Sequence, residues 1–206
     1  MEWSDVLDPD LEPAELILER IPDLHRARID QFRSFVDTAL IFSLHFVDLD
    51  ERYTLRLDVE DADGEAGEMI DFPQATIRGS RTHWERSIQW ASRLVEPADE
   101  QIDRYQGRVT LTEDIKQKFE RFDGLLKVQV MGFPDGSAPI GFEVVLNDYD
   151  DPRGAPTAQL TVQWSVLDDL AHGRLDPVAA ARQVQMRGDI GLALDLGGFF
   201  MNEFDL

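Results

Sequence analysis

The chain predicts an α+β fold, a mixed sheet with helices laid against it. Of its 206 residues 43 % are hydrophobic, enough for a packed core and against a wholly disordered chain. Runs in which every second residue is apolar mark half-buried strands, and the stretches between them carry apolar residues at helical spacing. The order of these runs returns once. It divides the chain into N-terminal helices at 1–38, one unit at 39–122 and a second at 123–206.

Pro13 suits the first turn of a helix over 12–21, which Pro22 then interrupts. A second helix over 23–39 carries Leu24, Ala27, Phe32, Phe35 and Val36 near one face. Phe42, Leu44 and Phe46 then alternate with Ser43 and His45. Tyr53, Leu55, Leu57 and Val59 alternate with Thr54, Arg56 and Asp58. The acidic, glycine-bearing stretch 61–68 reads as a loop or hairpin connection. Ala75 and Ile77 mark a third strand. A helix over about 82–94 turns Trp84, Ile88, Ala91 and Leu94 inward, followed by a short strand at Val109 and Leu111 and a helix over 115–122.

The second unit repeats this plan. Leu126, Val128 and Val130 alternate, then Phe142, Val144 and Leu146, and an acidic loop follows at 147–154. Leu160, Val162 and Trp164 read as a strand. Val166, Leu167 and Leu170 sit on a short helix that Gly173 ends. Asp176-Pro177 reads as a cap and a first-turn proline, Val184 and Met186 as a strand, and Asp189 as the cap of a last helix. Tyr53, Leu55, Leu57 and Val59 match Ile140, Phe142, Val144 and Leu146, and Ile77 matches Val162. The other reading is one larger α+β domain whose strands merely share an alternating pattern.

Charge narrows the partners. The 41 Asp and Glu against 20 Lys and Arg leave −21, which argues against general binding to nucleic acid or to anionic lipid surfaces. Seventeen of the basic residues are Arg and three are Lys, which fits either a saline habitat or a GC-rich genome. Without cysteine there is no disulfide, thiolate nucleophile or Cys-based zinc site. No stretch approaches the ~20 apolar residues of a spanning helix, and the N-terminus carries no export pattern, so the expected location is cytoplasmic.

The second half carries a run of motifs from residue 159 to 200. Leu160-Thr161-Val162-Gln163-Trp164-Ser165 leads to Leu167-Asp168-Asp169-Leu170 and then Gly173-Arg174-Leu175-Asp176-Pro177. Val184-Gln185-Met186-Arg187-Gly188-Asp189 and Ala193-Leu194-Asp195-Leu196 follow. This series resembles the sterol carrier protein 2 (SCP-2) family: a strand, a short acidic helix, a Gly-basic-Leu-Asp-Pro turn, then a strand ending in Gly-Asp before a helix. The resemblance covers 125–200 and extends more weakly to 39–122, where Glu113 stands in place of Gly188. It implies a curved mixed sheet covered by helices, and the repeat makes this two similar units in tandem. In ligand-binding members an apolar tunnel between sheet and helices takes fatty acyl chains or sterols. The resemblance implies neither catalytic residues nor a cofactor.

On that reading the ligand wall is Phe142, Val144, Leu146, Leu160, Val162 and Trp164, with Leu167, Leu170, Val184 and Met186. Phe199, Phe200 and Met201 form a lid hinged at Gly197-Gly198. The same side chains equally suit a solid core, and the two glycines equally suit a helix end. Arg174 and Arg187 suit either a headgroup at the tunnel mouth or surface pairs with acids. The four histidines lie far apart, the acidic clusters lack calcium-loop spacing, and no nucleophile elbow or phosphate loop occurs, so neither an enzyme nor a metal site is expected. The expected partner is a lipid or fatty acyl ligand. The alternative is an accessory protein with a filled pocket that self-associates as a homodimer or serves an enzyme.

Overall fold

A computed structural model describes residues 6–8, 10–67, 73–101, 110–147 and 154–203. Val109 of the expected short strand and most of the acidic loop after Asn147 lie outside the described residues.

Glu12 is extended and hands the chain to Pro13, whose fixed φ suits a first turn. Helix α1 (Pro13–Glu15) runs into a π turn (Leu16–Arg20) and on into α2 (Ile21–Ala27) without leaving helical backbone. The interruption expected at Pro22 does not occur. Proline has no N–H to give, but Pro22 falls in the first turn of α2, where the wider π turn has already changed the hydrogen-bond ladder. The chain instead breaks at Arg28, and α3 (Ile29–Arg33) stops short of the expected end at 39. Val36 then forms a parallel bridge with Leu111, the described remnant of the expected short strand.

The strands are β1 (Leu40–Phe46), β2 (Glu51–Leu57), β3 (Ala62–Ala66), β4 (Ala75–Gly79), β5 (Gly124–Met131), β6 (Ile140–Leu146), β7 (Thr157–Gln163) and β8 (Gln185–Gly188). They form one mixed sheet of order β3-β2-β1-β4-β6-β5-β7-β8. Strand β1 pairs antiparallel with β2 and parallel with β4. Strand β5 pairs antiparallel with β6 and parallel with β7 in the same way. An antiparallel β4–β6 pair joins the two sets. The protein is thus α+β with a single eight-stranded sheet.

Strand β3 corrects the reading of 61–68 as a connection. As an edge strand it needs hydrogen bonds on one side only, so polar residues are tolerated there. Gly64 is required because a Cβ there would stand 2.4 Å from the Ile17 carbonyl oxygen, where the π turn crosses the edge.

The pleat divides the sheet into unlike faces. Leu44, Ile77, Val144 and Leu126 are successive cross-strand partners on one face. One residue further along, His45, Arg78, Glu143 and Lys127 are partners on the other. The helices lie on the apolar face. Helix α4 (Arg81–Gln101) sets Trp84 against Phe46, with ring centroids 5.6 Å apart, and Trp90 against Trp164 at 4.8 Å. Thr112 caps α5 (Glu113–Phe119). Helix α6 (Trp164–Ala171) begins at Trp164, so that residue closes the core as the first of a helix rather than the last of a strand. Asp176 caps α7 (Pro177–Ala181), accepting from the Ala179 N–H at 2.8 Å. Asp189 does the same for Leu192 at 3.1 Å ahead of α8 (Ile190–Glu203). Gly197 and Gly198 lie inside α8, which runs on through Phe199, Phe200 and Met201, so they do not end it.

Candidate functional site

The break at Arg28 separates α2 from α3 and leaves an elbow beside Leu57 at the end of β2. Beneath it lies a pocket of about 290 Å³, at the small end of the range for small-molecule sites. Ile21 and Leu24 of α2, Phe32 of α3, Phe35 and Val36 after it, and Leu57 at the end of β2 give it an apolar wall. These residues are close in the chain for a simple reason. An amphipathic helix turns one stripe inward, and the break presents a second stripe at an angle to the first.

Two polar features mark this pocket. His25 lines it and is 6 % exposed, and neither ring nitrogen finds a hydrogen-bond partner among the described residues. Its ring stands edge-on to Phe32, with centroids 4.2 Å apart. Burial pushes the His25 pKa below the ordinary imidazole value; the Asp58 carbonyl, which approaches the ring without meeting hydrogen-bond geometry, and the Asp61 charge only partly oppose it. The neutral ring therefore presents one N–H donor and one acceptor. At the rim, Arg28 Nη1 donates to both Asp99 oxygens, at 2.9 and 2.7 Å, and ties the elbow to α4. A buried polar group without a partner is costly, so such a group facing a cavity marks where a ligand's polar end belongs.

The wall expected in the second unit is divided between two packed clusters. Val162, Trp164, Leu167, Leu170 and Val184 join one with Trp90, Val130, Phe133 and Ile140. Trp90, Phe133 and Trp164 close it, with ring centroids 4.8–5.4 Å apart. Val144, Leu146, Leu160 and Met186 join the other under Leu192, Ala193 and Leu196 of α8. Phe142 lies between the two clusters on the same face, opposite Val128. Phe199 packs on Phe119 and Phe122 at 5.9 and 5.4 Å, and Phe200 on Phe119 at 6.2 Å, while Met201 is exposed. Arg174 pairs with Asp168 and Asp169, as its surface setting allows. His45 lies on the polar face, His83 Nδ1 stands 2.8 Å from the Gly141 carbonyl, and His172 ends α6. Among the described residues no three His, Asp or Glu gather where they could hold a metal ion, and no helix is long and apolar enough to cross a membrane.

None of the residues lining this pocket is a site residue in the sequence reading, because each, His25 and Leu57 included, also fits an ordinary element. His25 sits at i, i+4 from Ile21, and both lie on the inward stripe of α2. That spacing was the signal that could have found it.

No protein-family model matches the chain, and no curated protein matches it. Among solved structures it is similar to a double mutant of the sec-alkyl sulfatase PisA1, at 18 % identity and a TM-score of 0.30. The match covers 41 % of this chain and 12 % of that one, so this chain spans a small part of the sulfatase's length.

Proposed function

We propose that the protein is a non-catalytic binder of a lipid-class ligand, an apolar chain or ring with one polar end, seated under the α2–α3 elbow. The observation that carries this is the coincidence of an apolar pocket with a buried, unpartnered imidazole in its wall. Burying about ten methylenes at ~0.8 kcal/mol each supplies ~8 kcal/mol before ordering costs, and His25 meets the carboxyl or hydroxyl. The sterol-carrier resemblance and the repeated pairing of β1, β2, β4 and β5, β6, β7 support a passive carrier built from two like units. The wall residues expected in the second unit lie in two packed clusters, whereas the pocket under the elbow lies between the N-terminal helices and the end of β2. Titration of delipidated protein with a fluorescent fatty acid tests this. Saturable one-to-one binding is expected, and Leu57→Trp, which fills the pocket, weakens it at least tenfold. Val184→Ala, in the far cluster, leaves it unchanged. No saturation in a folded protein contradicts the proposal.

A second reading, self-association, draws on α8. Ile190, Leu194 and Met201 follow at helical spacing and are 47, 60 and 41 % exposed. Sedimentation of the Leu194→Glu variant separates the readings: a dimer that dissociates favours the accessory role.

A further inference from the structure

The face of the sheet opposite the helices carries an ordered charge pattern. One cross-strand row runs over seven strands. Arg52 on β2 faces His45 on β1, which faces Arg78 on β4, which faces Glu143 on β6. Glu143 faces Lys127 on β5, then come Gln159 on β7 and Arg187 on β8. The row holds four cations and one acid, in a chain whose net charge is −21. Chance placement on so acidic a chain favours the opposite sign.

The middle of this row opens into a groove of about 610 Å³, within the size range of small-molecule sites. Arg78, Glu143, Lys127 and Gln159 form one bank, and Gln129 and Thr161 form the other. Glu143 neutralises its neighbours incompletely, standing 3.8 Å from Arg78 Nη1 and 3.3 Å from Lys127 Nζ. Three buried polar atoms on the same face have no hydrogen-bond partner among the described residues: Arg78 Nε, His45 Nε2 and Thr76 Oγ1. His45 is 9 % and Thr76 3 % exposed. The Asp50 carboxylate comes within 3.6 Å of His45 Nε2 from an almost fully exposed position. Burial and the neighbouring Arg52 and Arg78 hold the His45 pKa below its ordinary value, as expected where positive potential accumulates.

We propose that this groove is a second ligand site, for a small organic oxyanion, in which Arg78 and Lys127 receive the acid group and Gln129, Gln159 and Thr161 hydrogen-bond the remainder. Arg offers a planar fork and Lys a mobile point charge, so carboxylate and phosphate share the required chemistry. Glu143 between the two cations sets their spacing and disfavours an anion with no polar body to reach past it. The site stands apart from the pocket under the elbow and does not depend on it.

Phenyl phosphate and benzoate serve as probes, with benzyl alcohol as the neutral control, followed by amide NMR shifts at moderate salt. Saturable shifts centred on Gly79, Gly141 and Gln159 are expected with at least one acid and not with the alcohol. Gln159→Glu, which breaks no ion pair, weakens binding at least tenfold. Lys127→Gln weakens it several-fold, and Lys116→Gln on α5 leaves it unchanged. Preference between the two acids distinguishes phosphate from carboxylate ligands. Linear shifts without saturation, or equal weakening by Lys116→Gln, overturn the proposal.

Discussion

The helix-covered face is closed in one half of the sheet and open in the other. Over β5, β6 and β7, Trp90, Phe133 and Trp164 fill the space that the helices leave, and α8 seals the opposite end. Over β2, two short helices meet at Arg28, and Phe32 and Phe35 line the space beneath them without filling it. Both halves begin from alternating strands. The difference lies in what covers them, since one tryptophan more or less is worth the volume of a small ligand.

That contrast is most sharply broken by truncation. Trp164→Ala is expected to cost ~3–5 kcal/mol, because the ring is 6 % exposed and its neighbours cannot collapse into the void. Leu57→Ala, at the pocket, is expected to cost less than ~2 kcal/mol, since part of its surface already faces empty space. Denaturant melts of the two variants compare the halves directly, and equal losses contradict the contrast.

Gly64 tests how the open half is assembled. Gly64→Val drives a side chain into the Ile17 carbonyl and shifts the π turn, at about 1–3 kcal/mol. The same change at Gly136, whose Cβ position meets nothing within 4 Å, is a poor control because its φ is +71°. Gly197→Ala on α8, with neither obstacle, is the proper one and is expected to be neutral or slightly stabilising.

The smallest effect is on pH. His25 and His45 both titrate below the ordinary value in the folded chain, so the unfolded chain binds protons first as pH falls. Their contribution to stability is complete above about pH 6.5–7 and declines as pH drops through the unfolded value toward the folded one. Melts between pH 7.5 and 5.5 are expected to show this loss, and His25→Gln with His45→Gln to flatten it. A slope unchanged in the double variant would mean that other groups carry it.

Much of the architecture is legible in the residues. Strict alternation places β1, β2, β4, β5 and β6, and Asp176 and Asp189 cap the helices their positions indicate. What escaped reading depends on neighbours distant in sequence. The strand at 62–66 exists because β2 offers an edge to pair with, and its polar residues give no local sign of it. Trp164 continues the β7 alternation yet starts a helix, since tertiary packing with Trp90 and Phe133 outweighs the two-residue period. Gly197-Gly198 stays helical because Leu196 and the Phe119–Phe199 contact hold the helix on both sides. Alternating apolar residues identify an inward face, but whether that face meets a side chain or a cavity is decided by the covering layer.

The most direct test follows the His25 imidazole nitrogens by NMR while lauric acid is added to delipidated protein, together with the methyl groups of Val162, Leu170 and Val184. The His25 signals are expected to move and saturate at one equivalent while those methyls stay fixed. Movement of the methyls with His25 unchanged would put the guest in the closed half and overturn the assignment to the elbow pocket.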